Sequence, residues 1–325
     1  MRALAVSRTG ESPRLLDLPR PRPGPGEVLV RLEAASVNPM DWKIAEGALT
    51  EQLPHSYPLV LGADGAGRVE AVGEGVRRFS VGETVYGQFF VVPVGSQGSF
   101  AEYAVVPEES PTSVIAPAPA RISVADAAAV PTAAMTALGA LEAVGLREGQ
   151  AIVIVGATGG IGSFATQLAA GLGAHVIATA RPDARAWITG LGAADTAGYA
   201  PEEIVARARA ARPDGVDALL DLVGDRTVFD ACLAGVRPGG TAVSVNFGAP
   251  TEQPANTDIT TSNYILMDGK ADLLRRITEE ITAGRVTVPV QERVPLDGAA
   301  GALARSKAGG ARGKTVVRIQ GQDDG

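Results

Sequence analysis

The stretch that most constrains this 325-residue chain is residues 151–172. It opens with Ala151–Val155, a continuous apolar run rich in β-branched residues, as expected of a strand buried on both faces. The turn Gly156-Ala-Thr-Gly-Gly-Ile-Gly162 follows, and residues 160–172 then read as a helix. Strand, tight turn and helix in this order are the setting in which a G-x-G-x-x-G pattern binds a dinucleotide. Ala157, Gly159 and Gly162 fall at its three small positions, with Thr158, Gly160 and Ile161 between them. Gly159 leaves room for backbone N–H groups to approach a pyrophosphate, and Gly162 lets the helix pack on the strand. The helix N-terminus favours the phosphate charge. The same glycines outside this setting would be an ordinary α/β turn.

The pattern around this stretch supports the setting. From about Ser123, a candidate N-cap, the chain becomes helical. Strands are expected at 175–179, 217–223 and 241–247, and helices at 201–211, 226–236 and 269–284. This alternation argues for a doubly wound parallel sheet. Residues 1–110 instead show short strands separated by Gly and Pro turns, at 1–7, 27–35, 65–72, 84–87 and 100–106, which suggests a β-rich unit. Strand patterns return at 286–290 and 314–319, so the C-terminal segment is expected to rejoin that unit. The division is 1–121 with 265–325 as the β-rich domain and 122–264 as the dinucleotide domain.

Composition removes several classes of function. One Cys and two His exclude an intramolecular disulfide, a Cys₄ or Cys₂His₂ zinc site and a His₃ centre. No metal site is expected, and a reduced cytoplasm fits. A net charge of −7 disfavours nonspecific nucleic-acid or anionic-membrane binding. No apolar run is long enough to span a bilayer. Cys232 reads as inert core, and His55 and His175 share no triad.

The dinucleotide type depends on the tip of the strand 175–179. A carboxylate there would bind the ribose 2′-OH and select NAD. The tip instead offers Thr179, Ala180 and Arg181, with Arg185 just beyond. A guanidinium suits a 2′-phosphate, so NADPH is the expected cofactor. The alternative is that both arginines are solvated surface charge. Asp183 follows Pro182 and is expected to start the next helix. By the rule that ligands sit at the carboxyl ends of parallel strands, Val223 and Gly224, and Asn246, Phe247 and Gly248, are further cofactor candidates.

Five segments and the glycine turn together resemble the zinc-free quinone oxidoreductase branch of the medium-chain dehydrogenase/reductase superfamily. They are Ala35-Ser-Val-Asn-Pro-Met-Asp-Trp-Lys43, Leu61-Gly-Ala-Asp-Gly-Ala-Gly-Arg-Val-Glu-Ala-Val-Gly73, Val81-Gly-Glu-Thr-Val-Tyr-Gly87, Gly98-Ser-Phe-Ala-Glu-Tyr103 and Gly313-Lys-Thr-Val-Val. The resemblance covers nearly the whole chain. It implies a GroES-like β domain beside a Rossmann domain, and a homodimer formed through an edge strand near 262–267. Zinc-dependent relatives carry Gly-His-Glu where this chain has Gly62-Ala-Asp64, and a Cys near position 38, where this chain has Asn38.

The resemblance also implies site residues. Asn38 faces the nicotinamide and substrate, where its amide can donate to an oxygen gaining charge; otherwise it only organises the turn before Pro39. A family Tyr is replaced by Lys43, either a catalytic donor or a surface residue. Trp42 and Tyr57 are candidate substrate contacts, and Tyr103 is expected to pack in a strand. Thr136 matches a Thr near the nicotinamide ribose, or bonds back to a helix carbonyl. Tyr199 matches a Tyr beside the adenosine phosphate, and Lys314 either reaches the cofactor cleft or sits at a strand edge. The expected activity is hydride transfer from NADPH to a quinone or conjugated enone without zinc. An enoyl-thioester reductase and a non-catalytic NADPH-binding protein remain the alternatives.

Overall fold

The computed structural model describes residues 1–252, 258–267 and 270–319. A six-stranded parallel sheet runs in the order Asp195–Ala197, His175–Thr179, Ala151–Val155, Val216–Asp221, Val236–Ser244 and Thr260–Asn263. The strand of this sheet that comes first in the sequence, Ala151–Val155, lies centrally and is fully buried. Strand order reverses beside it, between His175–Thr179 and Val216–Asp221, which opens a crevice at the carboxyl ends. Thr260–Asn263 forms the sheet edge, followed by exposed Ile265 and Met267.

The second large sheet draws on both chain ends. Lys314–Arg318 pairs parallel with Val290–Pro295 and antiparallel with Glu27–Ser36, which in turn pairs with Asp64–Val72 and Tyr103–Pro107. Thr84–Gln88 and Val114–Pro117 complete it. A smaller sheet joins Arg14–Asp17, Arg2–Val6 and Leu59–Val60. One apolar core crosses the boundary between the two halves: Ala34, Ala66 and Tyr86 pack in the same cluster as Ala128, Ala134 and Met135. The Tyr86 hydroxyl also bonds to Thr278 Oγ1 at 2.6 Å. A shared core of this kind holds the cleft geometry more firmly than a wet domain interface would.

Several element boundaries differ from the sequence expectations for local reasons. The strand expected at 286–290 begins at Val290 and runs to Pro295; Val286 packs into the core, and Pro289 uses its carbonyl to accept from Lys314 N–H at 2.7 Å. The helix expected at 226–236 ends at Cys232, tightens into a 3₁₀ turn at Leu233–Gly235 and gives Val236 to the next strand. That strand stops at Ser244, short of Phe247, whose φ of 61° is incompatible with a strand. The strand expected at 100–106 is Tyr103–Pro107. The last long helix expected from 269 is described from Lys270 to Thr282; position 269 lies outside the described residues. The helices Pro39–Ala45 and Ala299–Ala308 were not expected; each is short and only partly periodic. Ser123 does cap a helix, accepting from Asp126 N–H at 3.0 Å. Among the described residues, no helix is long and apolar enough to cross a membrane.

Candidate functional site

The glycine turn sits at the crevice. Gly156 takes φ +82°, the left-handed conformation that turns the chain out of the strand, and its N–H donates to Thr179 Oγ1 at 2.8 Å. Thr179, a cofactor candidate, is fully buried and fastens this turn. Gly159 caps the helix Gly160–Gly171 from an extended conformation. A Cβ built on Gly159 would meet nothing nearer than Gly156 O at 3.5 Å, which leaves open space above the turn. Gly162 is the opposite case: an added Cβ would lie 2.3 Å from Gly156 O and 2.5 Å from Ala157 Cα. The helix therefore rests directly on the turn, with the first-turn N–H groups of Gly160, Ile161 and Gly162 clear of intrahelical bonds. This cradle fits a pyrophosphate. Tyr199 reaches it, with its hydroxyl 3.3 Å from Thr158 Oγ1.

The strand tips surround the turn. Arg181 and Arg185 are exposed, and the Arg181 guanidinium lies against Gly310 of the C-terminal segment. Asp183 pairs with Arg312 of that same segment. Asp221 accepts from Val223 N–H at 3.2 Å, Gly224 N–H at 2.8 Å and Ser244 Oγ at 3.3 Å, which ties two strand ends together. Asn246 bonds the carbonyls of Val223 and Gly224 at 3.4 and 3.3 Å, and Gly248 N–H donates to Ser244 Oγ at 2.9 Å. Phe247 stands 66% exposed beside them.

A buried polar cluster lies where the two halves meet. Gly313 N–H donates to Thr158 O at 2.8 Å, so the C-terminal strand starts on the glycine turn. The next residue, Lys314, is 3% exposed. Its stem runs over Gly160, and its Nζ donates to Val37 O at 2.8 Å and to Asn38 Oδ1 at 2.6 Å. Asn38 Nδ2 donates to Asp64 Oδ2 at 2.9 Å. Asp64 also accepts from Thr132 Oγ1 at 2.6 Å, and Thr132 accepts from Gln88, whose oxygen takes a bond from Lys270. Asp41 accepts from the backbone N–H groups of Asn38 at 2.7 Å and Ala63 at 3.1 Å. The amide of Asn38 thus has one N–H engaged, one carbonyl engaged and one N–H without a protein partner among the described residues.

Burial drives the electrostatics of this cluster. It pushes the Asp41 carboxyl up to about 7 and raises Asp64, while it lowers Lys314; the opposite charges work against each shift. Asp41 holds its proton more tightly folded than unfolded, so its contribution to stability is present below about pH 4 and is lost as pH rises through about 7. Urea midpoints at pH 5 and pH 8 should therefore differ more in the wild type than in Asp41→Asn. An equal difference in both proteins would remove Asp41 as the source.

Of the remaining candidates, Thr136 alone is bonded to a member of this cluster, among the described residues. Lys43 is half-buried, with its ammonium 5.7 Å from the Trp42 ring, and Lys307 approaches the same ring at 5.4 Å. Neither Lys43 nor Trp42 makes a bond to Asn38. Trp42 keeps a buried indole N–H with no partner among the described residues. Tyr57 is partly exposed and its hydroxyl pairs with Thr9. Thr136 is buried and its hydroxyl donates to Thr132 O at 2.6 Å. Tyr103 lies in a strand under the Arg20 guanidinium, 4.1 Å from the ring centroid. Cys232 is buried, which pushes its thiol up to about 11. Asp64, Asp41, Thr132 and Gln88 were missed as site residues. Asp64 and Asp41 stand inside quoted segments, but only their burial together reveals the cluster.

Two stretches of the chain match known protein families. Residues 24–118 match the alcohol dehydrogenase GroES-like domain family, and residues 191–317 match the zinc-binding dehydrogenase family. The second stretch contains Cys232 and no His, and among the described residues no group of three or more His, Cys, Asp or Glu is placed to hold a metal. The chain is 32% identical over 317 residues to the chloroplast envelope quinone oxidoreductase homolog of Arabidopsis thaliana, covering 93% of this chain and 92% of that protein. It is 30% identical over 298 residues to the 2-methylene-furan-3-one reductase of Solanum lycopersicum, covering 90% and 71%. A mycobacterial protein solved in complex with NADPH superposes with a TM-score of 0.84 at 28% identity, covering 98% of this chain and all 100% of that one.

Proposed function

Since the chain belongs to the quinone oxidoreductase branch of the medium-chain dehydrogenase/reductase superfamily, and is thus an NAD(P)H-dependent oxidoreductase, we propose that it reduces quinones and conjugated enones with NADPH and without a metal. The observation that carries this reading is the Asn38 amide, buried and bonded to Lys314, whose stem runs over the glycine turn, with one N–H unclaimed among the described residues. A bound nicotinamide supplies a hydride; the protein must orient the acceptor and stabilise the oxygen that becomes negative.

Gly160, Ile161 and Gly162 offer backbone N–H groups to the pyrophosphate, with the helix N-terminus behind them. Arg181, and Arg185 beyond it, offer guanidinium groups to a 2′-phosphate. The unclaimed N–H of Asn38 donates to the acceptor oxygen as it becomes an enolate or hydroquinone anion. Such an anion takes its proton from water, so no dedicated acid is needed. Metal independence is supported by Asn38 and Ala63, neither of which presents a zinc ligand. The NADPH-bound relative supports the cofactor, and the names of the two reductases support a quinone or enone acceptor.

The test is cofactor oxidation with NADPH and NADH against quinones, enones and enoyl thioesters, with and without a chelator. Expected are turnover with quinone or enone, preference for NADPH, and no loss with chelator. In Arg181→Ala the NADPH preference should fall by about tenfold or more, the worth of one charge-assisted contact. Preferential turnover of enoyl thioesters would replace the acceptor class. Tight NADPH binding without turnover of any acceptor would overturn the enzymatic reading.

A further inference from the structure

An asparagine amide has two ends of nearly equal shape and opposite hydrogen-bonding character, so its neighbours decide which way it faces. At Asn38 the neighbours leave one answer. Lys314 has only donors to offer, and it meets Oδ1 at 2.6 Å. Ionised Asp64 has only acceptors to offer, and it meets Nδ2 at 2.9 Å. Turned over, the amide would set its NH₂ against the ammonium and its oxygen against the carboxylate. Two charge-assisted hydrogen bonds would become two repulsions in a site where all three residues are at most 4% exposed.

The lysine is itself fixed to the cofactor cradle. The residue before it is bonded to Thr158, and Gly159 and Gly313 form a bridge between the two halves. The stem of Lys314 runs so near Gly160 that a Cβ there would sit 2.8 Å from Lys314 Cδ. A second bond from Nζ, to Val37 O at 2.8 Å, keeps the ammonium beside the Asn38 backbone. One residue therefore touches the glycine turn with its stem and the Asn38 carbonyl with its head.

We infer that Lys314 is a positioning residue: with Asp64 it locks the Asn38 amide in one orientation, so that one N–H is held by Asp64 and the other is presented to the acceptor oxygen. The inference rests on the reading of Asn38 as the donor to that oxygen. The lysine acts through the asparagine, because its ammonium is bonded to Val37 O and Asn38 Oδ1. Its polarisation of the amide carbonyl also makes the free N–H a better donor, because linked hydrogen bonds strengthen one another at low dielectric.

Lys314→Met keeps the stem and removes the ammonium. Because this leaves Asp64 without a counter-charge, the neutral pair Lys314→Met/Asp64→Asn is made as well, and near-ultraviolet circular dichroism selects the folded variants. The first readout is the ¹⁵N–¹H spectrum, in which the Asn38 side-chain pair is identified by its loss in Asn38→Ala. In the wild type the two amide protons should be well separated and slow to interchange. In the folded variants they should move toward each other, with interchange faster by about tenfold, the loss of one charge-assisted bond.

The second readout is turnover. The kcat of Lys314→Met should fall by about tenfold or more, while the cofactor dissociation constant stays within about threefold. In the Asn38→Ala background the same change should cost almost nothing, since a residue that acts through another has no effect once that other is gone. Unchanged Asn38 amide signals in the folded variants would overturn the lock. So would an equal loss of kcat in the Asn38→Ala background, which would mark Lys314 as a general structural support. If the wild type turns over no acceptor, the donor reading fails, while the amide spectrum still decides the lock.

Discussion

Gly162→Ala is expected to weaken binding of the nicotinamide cofactor by about 100-fold, or about 2.7 kcal/mol. The cause is steric and local. The new methyl would sit 2.3 Å from Gly156 O and 2.5 Å from Ala157 Cα, both backbone atoms that cannot rotate away. The helix must back off the strand, and the N–H groups that open it move with it. Overpacking of this kind also costs about 1–3 kcal/mol of stability. Gly171, at the far end of the same helix, is the control: an added Cβ there meets nothing within 4 Å, so Gly171→Ala should bind as the wild type does. Fluorescence titration with NADPH and a thermal melt measure both effects. Wild-type affinity in folded Gly162→Ala would show that the pyrophosphate does not rest on this turn.

Asn38→Ala should lower kcat by about 10²- to 10³-fold, the loss found when one donor to a developing oxyanion is removed. The same change leaves the Lys314 ammonium and the Asp64 carboxylate short of a partner in the interior, so the melting temperature should fall too. The two effects separate the roles open to Asn38. If it served only to organise the turn before Pro39, stability would fall while kcat per folded molecule held. Asn38→Asp is expected to be worse for folding than Ala, because it adds a further buried carboxyl to Asp64 and Asp41, with Lys314 the one cation paired with Asp64 among the described residues.

The parallel-sheet half was legible because its signals are local. Ala151–Val155 is apolar throughout because both its faces are covered, and the glycines that follow answer to steric needs within a few residues. The helix Pro201–Ala211 and the strand His175–Thr179 have the bounds read from the sequence for the same reason. The pattern was less reliable where one element hands over to the next. Leu233–Gly235 continues an apolar run, yet it tightens and turns because Val236 is needed by the sheet. The shift of the C-terminal strand to Val290–Pro295 follows from its pairing with Lys314–Arg318, a register that periodicity in either segment does not encode.

The candidate site divides along the same physical line. The sequence by itself determined the glycine turn between strand and helix, the shortage of Cys and His, and the motif that singles out Asn38, since each depends on residue type and near neighbours. It left Lys314 undecided between the cleft and a strand edge, and it gave no role to Asp64 or Thr132. Their places in the network were decided by the tertiary structure. Asn38 and Lys314 lie 276 positions apart, and Thr132 stands 68 from Asp64. Burial converts these distant polar residues into one network, because a charge taken out of water must find its partners wherever the fold has brought them.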